Sequence, residues 1–316
     1  MDVSIIIPNY NNALIIEECL KCCVNQITDL NAEIIIVDDH STDTSWDLLC
    51  KYQTNHSRVI RIFKNPKKGA CSARNYGYNK SSGKYIQFLD SDDILSKDKL
   101  KKQLGALKNA DKSFVANCGW IHFDDTPEIE KYKRQLVDKT YTTPINWLLD
   151  SWNGGGMGQT GCWLIPRELI EKAGGWDESL LKNQDGEFIA RIICNAVEIE
   201  FCHEVFAFYR KPTKGNVSSN LTKDAVASAL ESYKSYEYIL RVEDSKRIRT
   251  AIAKNYNSFI YSYYNRYPEL VSKAKRHLSD LGENIDVPFS NRVIRNLALV
   301  LGIHNTMKLR NILRGY

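Results

Sequence analysis

The chain has 316 residues, 43% of them hydrophobic, and a formal net charge of +5. That length supports a sizeable core in one large domain or two smaller ones, and 17 Tyr with 6 Trp exclude global disorder. The mild charge excludes the strong basic stripe of a nucleic-acid binder, and no apolar run approaches the roughly 18 residues that span a bilayer.

The first element is V-S-I-I-I-P at 3–8, a continuous apolar run that predicts a strand covered on both faces. Met1 and Asp2 lead straight into it, so no secretory signal is expected. The nine cysteines, an odd number, fit a reducing compartment. A helix over 13–27 follows, with Ile15, Ile16, Cys19, Leu20, Cys23, Val24 and Ile27 at helical spacing. Cys19 and Cys23 therefore read as small core residues rather than metal ligands, and no second Cys pair has zinc spacing. Further strands are predicted at 33–38, 58–63 and 84–89, with helices at 43–54 and 70–80 between them. Such alternation argues for a Rossmann-like α/β fold, a mostly parallel sheet with helices on both faces.

A helix over 96–109 and a strand over 113–123 continue the pattern. The stretch 124–182 is less regular and contains N-G-G-G-M-G at 153–158, which reads as loop, then a strand at 160–166. A helix over about 184–196 and strands at 197–202 and 204–210 close this half. Residues 221–280 read as helices. The last segment, 291–316, carries Arg292, Arg295, Lys308, Arg310 and Arg314, no acid, and apolar residues at helical spacing. It is expected either to dock on an anionic membrane surface or to pack back on the core. The division expected is a catalytic domain at 1–215 and a helical region with a basic amphipathic tail at 216–316.

Ligands of an open parallel sheet bind beyond the carboxyl ends of its strands. There this chain places P-N-Y-N-N (8–12), D-D-H-S-T-D (38–43), N-P-K-K-G (65–69) with A-R-N-Y-G (73–77), and D-S-D-D (90–93). Each alone reads equally well as a turn with a helix cap. Four on one rim read as a site. Asp90 and Asp92, two apart, are expected on one face, as a strand-end carboxylate pair suited to Mg²⁺ or Mn²⁺ completed by substrate phosphates. Arg74 has the planar fork that holds a phosphate or a base, and Asp39 is a candidate acceptor for a base N–H.

These four motifs closely resemble, in order, those of glycosyltransferase family two, inverting enzymes of GT-A fold that use nucleotide sugars. The resemblance covers residues 3 to about 110 and resumes at G-G-W-D-E-S-L (174–180), Q-D-G-E-F (184–188) and Y-R (209–210). It implies that Asp39 contacts the base, that Arg74 helps hold the nucleotide, and that Asp90 and Ser91 lie against ribose and diphosphate. Pro8 and Tyr10 would line the same nucleotide-sugar site. Asp92 would hold the metal, Mn²⁺ or Mg²⁺, and Asp185 would be the general base toward the acceptor hydroxyl.

Two positions depart from the family pattern. Gln184 replaces the first acid of the pair, and no His closely follows Tyr209–Arg210, which leaves Lys211 or Lys214 for the phosphates. Trp152, Trp163 and Trp176 are candidates for a flat face against the acceptor sugar, with core packing the competing use. The function expected is metal-dependent inverting transfer from a nucleotide sugar, a UDP-sugar favoured, to a hydroxyl of a glycan or lipid-linked acceptor. The family setting is bacterial surface-polysaccharide synthesis (O-antigen or capsule) in the cytoplasm, at the inner face of the membrane. The competing readings are a sugar nucleotidyltransferase, which would want a Gly-rich loop after the first strand, and a catalytically silent glycan- or membrane-binding relative. A dehydrogenase would want G-x-G-x-x-G there.

Overall fold

The computed structural model describes residues 1–108, 113–211, 220–286 and 305–306. The basic segment 291–316 therefore lies outside the described residues, apart from 305–306, as does Lys214. The chain divides into two compact units, Met1–Ser179 with Gln184–Asn216, and Leu180–Asn183 with Val217–Tyr316.

In the first unit the isoleucine-rich runs form β1 (Val3–Asn9) and β2 (Ala32–Asp38), with every residue buried. They pair in parallel, Ile5 beside Ile34 and Ile7 beside Ile36. β3 (Ile60–Lys64) and β4 (Tyr85–Phe88) extend the sheet to either side, also in parallel, and β7 (Ile165–Pro166) adds an antiparallel edge, giving the order β3-β2-β1-β4-β7. The intervening helices are α1 (Ile16–Gln26), α2 (Ser45–Asn55) and α3 (Ala70–Lys80). Right-handed crossovers put α1 and α2 on one face and α3 on the other. The strand order reverses between β1 and β4, so the crevice lies at their carboxyl ends.

A second sheet, order β5-β8-β6, joins β5 (Ile94–Leu95), β8 (Glu198–Arg210) and β6 (Phe114–Phe123). The two strands expected at 197–202 and 204–210 are one. Glu204 takes a positive φ of 61° and the pairing with β6 shifts register between Cys118 and Gly119, so a bulge bends the strand without ending it. The strand expected at 160–166 is reduced to Ile165–Pro166, because Thr160–Cys162 forms a 3₁₀ turn. Two of its carbonyls are taken by side chains: Gln87 Nε2 donates to Gly161 O (3.2 Å) and Gln103 Nε2 to Cys162 O (2.8 Å).

The same glutamines hold the fully buried Lys99 of α4 (Lys99–Leu107), whose Nζ donates to Gln87 Oε1 and Gln103 Oε1, both at 2.6 Å. Cys19 and Cys23 are buried on α1, and all nine cysteines are free thiols. The remaining helices of this unit are α5 (Ile145–Asp150), α6 (Arg167–Ala173) and α7 (Gln184–Asn195).

One buried carboxylate ties the first sheet together. Glu33 of β2 accepts from Ser4 Oγ (2.8 Å), Ser82 N (2.6 Å), Ser82 Oγ (2.8 Å) and Arg61 Nη1 (3.2 Å). Burial pushes its pKa up, but these donors outweigh it and hold the group below its ordinary value.

The second unit is helical: α8 (Lys223–Tyr236), α9 (Lys246–Tyr263) and α10 (Pro268–Asp280). Thr222 caps α8 through its side chain, and Pro268 opens α10 where its missing N–H costs nothing. Tyr256 stacks on His277 at 5.1 Å, and both bond Glu237. No helix among the described residues is long and apolar enough to cross a membrane.

Two glycines test this packing in opposite directions. A Cβ on Gly83 would lie 2.4 Å from Ser4 N and 2.7 Å from Val3 C, which are backbone atoms and cannot yield. Gly105 of α4 is exposed and has nothing within 4 Å of such an atom. Urea unfolding is expected to show Gly83→Ala losing more than about 2 kcal/mol. Gly105→Ala is expected to gain about 0.5–1 kcal/mol from helix propensity.

Candidate active site

The rim is built where β1 and β2 run out. Asp38 is an internal clamp: it accepts from Asn9 Nδ2 (2.9 Å), Ser41 N (3.1 Å) and Ser41 Oγ (2.6 Å). Asn11, at φ 51°, accepts from Thr42 N (2.7 Å), and Asp43 Oδ2 accepts from Ala13 N (3.1 Å). The loops at 9–13 and 38–45 are thus knitted into one wall. Pro8 is buried within β1, whereas Tyr10 stands 49% exposed at its mouth.

Asp39 sits beside this wall, buried, and its orientation is fixed from β3. Asn65 Nδ2 donates to Asp39 Oδ1 (2.7 Å), and Gly69 N donates to both carboxylate oxygens (3.0 and 2.9 Å). Gly69 reaches that position at φ 122°, a region L side chains rarely adopt. Asn65 was not singled out as a site residue in the sequence. Its only signal there is an amide at a strand end, next to a proline.

Asp90–Asp93 is not strand. β4 ends at Phe88, and Asp93 N donates to Asp90 O (3.1 Å) to close a turn. The strand-period argument for Asp90 and Asp92 therefore does not apply. The turn separates the three carboxylates instead. Asp90 pairs with Arg74 Nη2 at 2.6 Å. Asp93 points inward and accepts the backbone N–H of Arg210 (3.0 Å). Ser91 is buried and accepts from Asn12 Nδ2. Arg210 secures the turn further, donating through Nε to Asp92 O (3.0 Å) and through Nη2 to Glu18.

Asp92 titrates high, at about 6, because burial disfavours its charge, with Asp90 adding repulsion. Asp93 is also pushed well up, by burial first and then by Asp90 and Asp92. Among the described residues no group of three His, Cys, Asp or Glu converges as a metal cage.

Arg74 joins this turn to α7. Its guanidinium is buried, lies 4.4 Å above the Trp176 ring, and makes a long 3.5 Å contact from Nη1 to Gln184 Oε1. Its Nε–H has no hydrogen-bond partner among the described residues. Gln184 thus occupies the expected place, as an amide facing a cation. Asp185, half-buried in the first turn of α7, is pushed up by burial, against the Gly186 N–H and the Arg74 charge. Asp39, Arg74, Asp90, Ser91, Asp92 and Asp185 all belong to this first unit.

For two of the tryptophans the structure shows the competing use, core packing. Trp163 is 1% exposed and meets Trp147 edge-on at 5.1 Å. Trp176 is 4% exposed, stacked on Phe188 at 4.3 Å and covered by Arg74. Neither presents an open face to a sugar, because both are packed in the core. Lys211 is paired with Asp124.

Asp92 gives a stability prediction. Its raised pKa means the folded chain disfavours the carboxylate, so the favourable protonated state is lost as pH rises through about 6. Asp92→Asn is therefore expected to raise the urea stability of the unliganded protein at neutral pH, by up to about 3 kcal/mol. The gain is expected to vanish below about pH 4, where both folded and unfolded carboxyls are protonated.

Comparison with known proteins now bears on this geometry. The profile of glycosyl transferase family 2 matches residues 4–174. An uncharacterized glycosyltransferase of Haemophilus influenzae is 41% identical over 266 residues, 84% of this chain and 96% of that one. The putative teichuronic acid biosynthesis glycosyltransferase TuaG of Bacillus subtilis is 41% identical over 139 residues, 44% of this chain and 55% of its own. Among solved structures, S. aureus TarS 1–349 in complex with UDP-GlcNAc superposes with a TM-score of 0.68 at 17% identity, over 100% of this chain and 92% of that one. The mannosyltransferase PcManGT of Pyrobaculum calidifontis, in complex with GDP-Man and Mn²⁺, gives 0.55 at 17% identity, over 98% and 86%. The chain is thus an enzyme of glycosyltransferase family 2, with the GT-A fold and a helical C-terminal region.

Proposed function

We propose that this glycosyltransferase is inverting and metal-dependent, and that it moves a sugar from a nucleotide sugar, a UDP-sugar favoured, to a hydroxyl of a glycan or lipid-linked acceptor. The observation that carries this reading is Arg74. A buried guanidinium ties the Asp90–Asp93 turn to the start of α7, with a buried Nε–H that has no acceptor among the described residues. Such a donor suits an anionic ligand such as a diphosphate. Asp39, held by Asn65 and Gly69, keeps carboxylate lone pairs for a base N–H. Its backbone N–H is bonded to the Asn9 carbonyl, so Pro8 and Tyr10 on either side of Asn9 would line the same position.

The donor set fits a cation completed by substrate. With no protein cage among the described residues, Asp92 would hold Mn²⁺ or Mg²⁺ with phosphates and water filling the sphere. Its raised pKa is the signature of a carboxylate whose charge lacks compensation, which a cation would relieve. A bound ion would supply Lewis-acid stabilisation of negative charge on the departing diphosphate.

Asp185 serves as general base. It takes the proton of the acceptor hydroxyl as that oxygen bonds the anomeric carbon and the bond to the diphosphate breaks, so configuration inverts and no covalent enzyme intermediate forms. A base raised by burial is stronger than an ordinary carboxylate. Residues 1–215 would form the catalytic domain. TuaG, named for teichuronic acid biosynthesis, supports a place in bacterial cell-wall polysaccharide synthesis. O-antigen or capsule would be the product on the family reading. The basic segment 291–316 would give peripheral contact with the anionic inner face of the membrane.

Thermal shift with UDP-, GDP-, CMP- and dTDP-sugars, with and without Mn²⁺, tests the reading by mass action. A metal-dependent rise with one nucleotide class is expected, and it is expected to weaken in Asp92→Ala. No rise with any donor would overturn the reading.

The base has its own test. Asp185→Asn is expected to lose about 10²–10⁴-fold in transfer while nucleotide binding stays nearly unchanged. Because the base works only when ionised, kcat/KM is expected to fall as pH is lowered through the raised Asp185 pKa, and so at higher pH than an ordinary carboxylate would give. Near wild-type turnover in Asp185→Asn would remove the assignment.

A further inference from the structure

The second sheet carries an aromatic cluster that neither its core nor the nucleotide wall uses. Ile121 and Phe123 of β6 pack with Phe206 and Phe208 of β8 in one apolar cluster. By strand alternation, Trp120 and His122 turn to the opposite face, and Tyr209 joins them as the register partner of His122. The three rings meet edge to face: Trp120–His122 at 4.7 Å, His122–Tyr209 at 5.4 Å and Trp120–Tyr209 at 6.1 Å. His122 is exposed, and Trp120 and Tyr209 are half-buried. Ala207, the register partner of Trp120 on this face, is buried beside Gly161, so the face is covered there and opens at the rings. Contiguous rings at an open end of a sheet mark a binding surface.

The border of the cluster is built. Met157 of the glycine-rich loop is 49% exposed, and its carbonyl accepts from Trp120 Nε1 (2.8 Å) and Gln135 Nε2 (3.0 Å). Gln135 Oε1 in turn accepts from Met157 N (3.0 Å). The loop is therefore tethered beside the rings.

The position of the cluster is equally specific. Tyr209 directly precedes Arg210, whose N–H is held by Asp93 and whose Nε–H is held by the Asp92 carbonyl. The Asp90–Asp93 turn also leads from β4 of the first sheet to β5 of the second. The wall of Asp38, Asp39 and Asn65 belongs to the first sheet, and the rings belong to the second. Burial raises the Tyr209 phenol to about 12, with Asp93, Asp90, Asp92 and Asp185 adding to the effect.

We propose that Trp120, His122 and Tyr209 form the acceptor platform, stacking on the C–H face of a pyranose ring while the His122 imidazole and the Tyr209 hydroxyl meet its hydroxyls. This rests on the glycosyl-transfer reading above. The rings match a sugar in kind, with apolar faces and polar edges, where a lipid chain would call for aliphatic side chains. They replace Trp163 and Trp176, which are buried, as the aromatic side of the acceptor site.

The test is saturation-transfer NMR on the full chain with UDP and Mn²⁺, using methyl glycosides of glucose, galactose and N-acetylglucosamine as probes. The wild type is expected to saturate ring C–H protons of at least one probe. His122→Ala and Trp120→Ala are each expected to weaken that probe at least about fivefold. Trp120→Phe, which keeps a ring face but loses the bond to Met157, is expected to recover most of the binding. Unchanged saturation in both alanine variants overturns the platform, as does a wild type that saturates no probe. Equal loss in Trp120→Ala and Trp120→Phe also overturns it, because the Met157 tether would then be what matters. The Kd of UDP, measured separately by calorimetry, isolates the donor reading. If UDP fails to bind, the preference for UDP fails, and the platform is judged on the glycosides alone.

Discussion

The site depends on one buried cation. Arg74 sits where α3 faces the sheet's carboxyl end, and its guanidinium has left water almost completely. A charge in that position is tolerable only if compensated. Asp90 supplies the opposite charge at 2.6 Å, Trp176 supplies a π face at 4.4 Å, and Gln184 turns its carbonyl oxygen toward it. These partners come from three separate segments, so satisfying the charge also aligns them. The Asp90 turn and the first residues of α7 are consequently positioned by the same requirement. Gln184 fits this arrangement well: an amide oxygen shares the guanidinium without adding a further negative charge beside Asp185.

Much of this was legible in the sequence because it rests on local rules. The strands β1 to β4 are apolar runs, the helices between them show the 3.6-residue period, and polar residues fall at strand ends. That is enough to locate the rim and to single out Asp39, Arg74 and Asp90 as candidates, whereas Asp185 entered only through the family resemblance. The sequence was less informative where tertiary partners decide. Thr160–Cys162 leaves the strand because two distant glutamine amides take its carbonyls. Asp93 looks like its neighbours in the sequence, yet it turns inward to the Arg210 N–H. Aromatic residues were the hardest to assign. A tryptophan's type does not say which face of a strand it will leave from, so Trp163 and Trp176 stood out while Trp120 did not.

The two sheets divide the labour around the Asp90–Asp93 turn. The first is parallel but for the edge strand β7, with β1 and β2 buried throughout and a rim stitched by Asn11, Ser41 and Asp43 into one wall. The second is small and mixed, with a bulge at Glu204 and a loop hung from Trp120. Glu33 and its serine donors make the first sheet stiff from within. The connecting turn is held from both ends, by Arg74 on one side and Arg210 on the other.

The trio of Lys99, Gln87 and Gln103 has a consequence of a different kind. The ammonium is buried, burial lowers its pKa, and the two acceptors in the trio are neutral amides. Each glutamine also closes a backbone carbonyl of the 160–162 turn. Changing any one of the three first strands a polar atom in the interior. The three positions are therefore coupled in stability, so that a stepwise path from this interior to an apolar one would pass through an intermediate worse than either end.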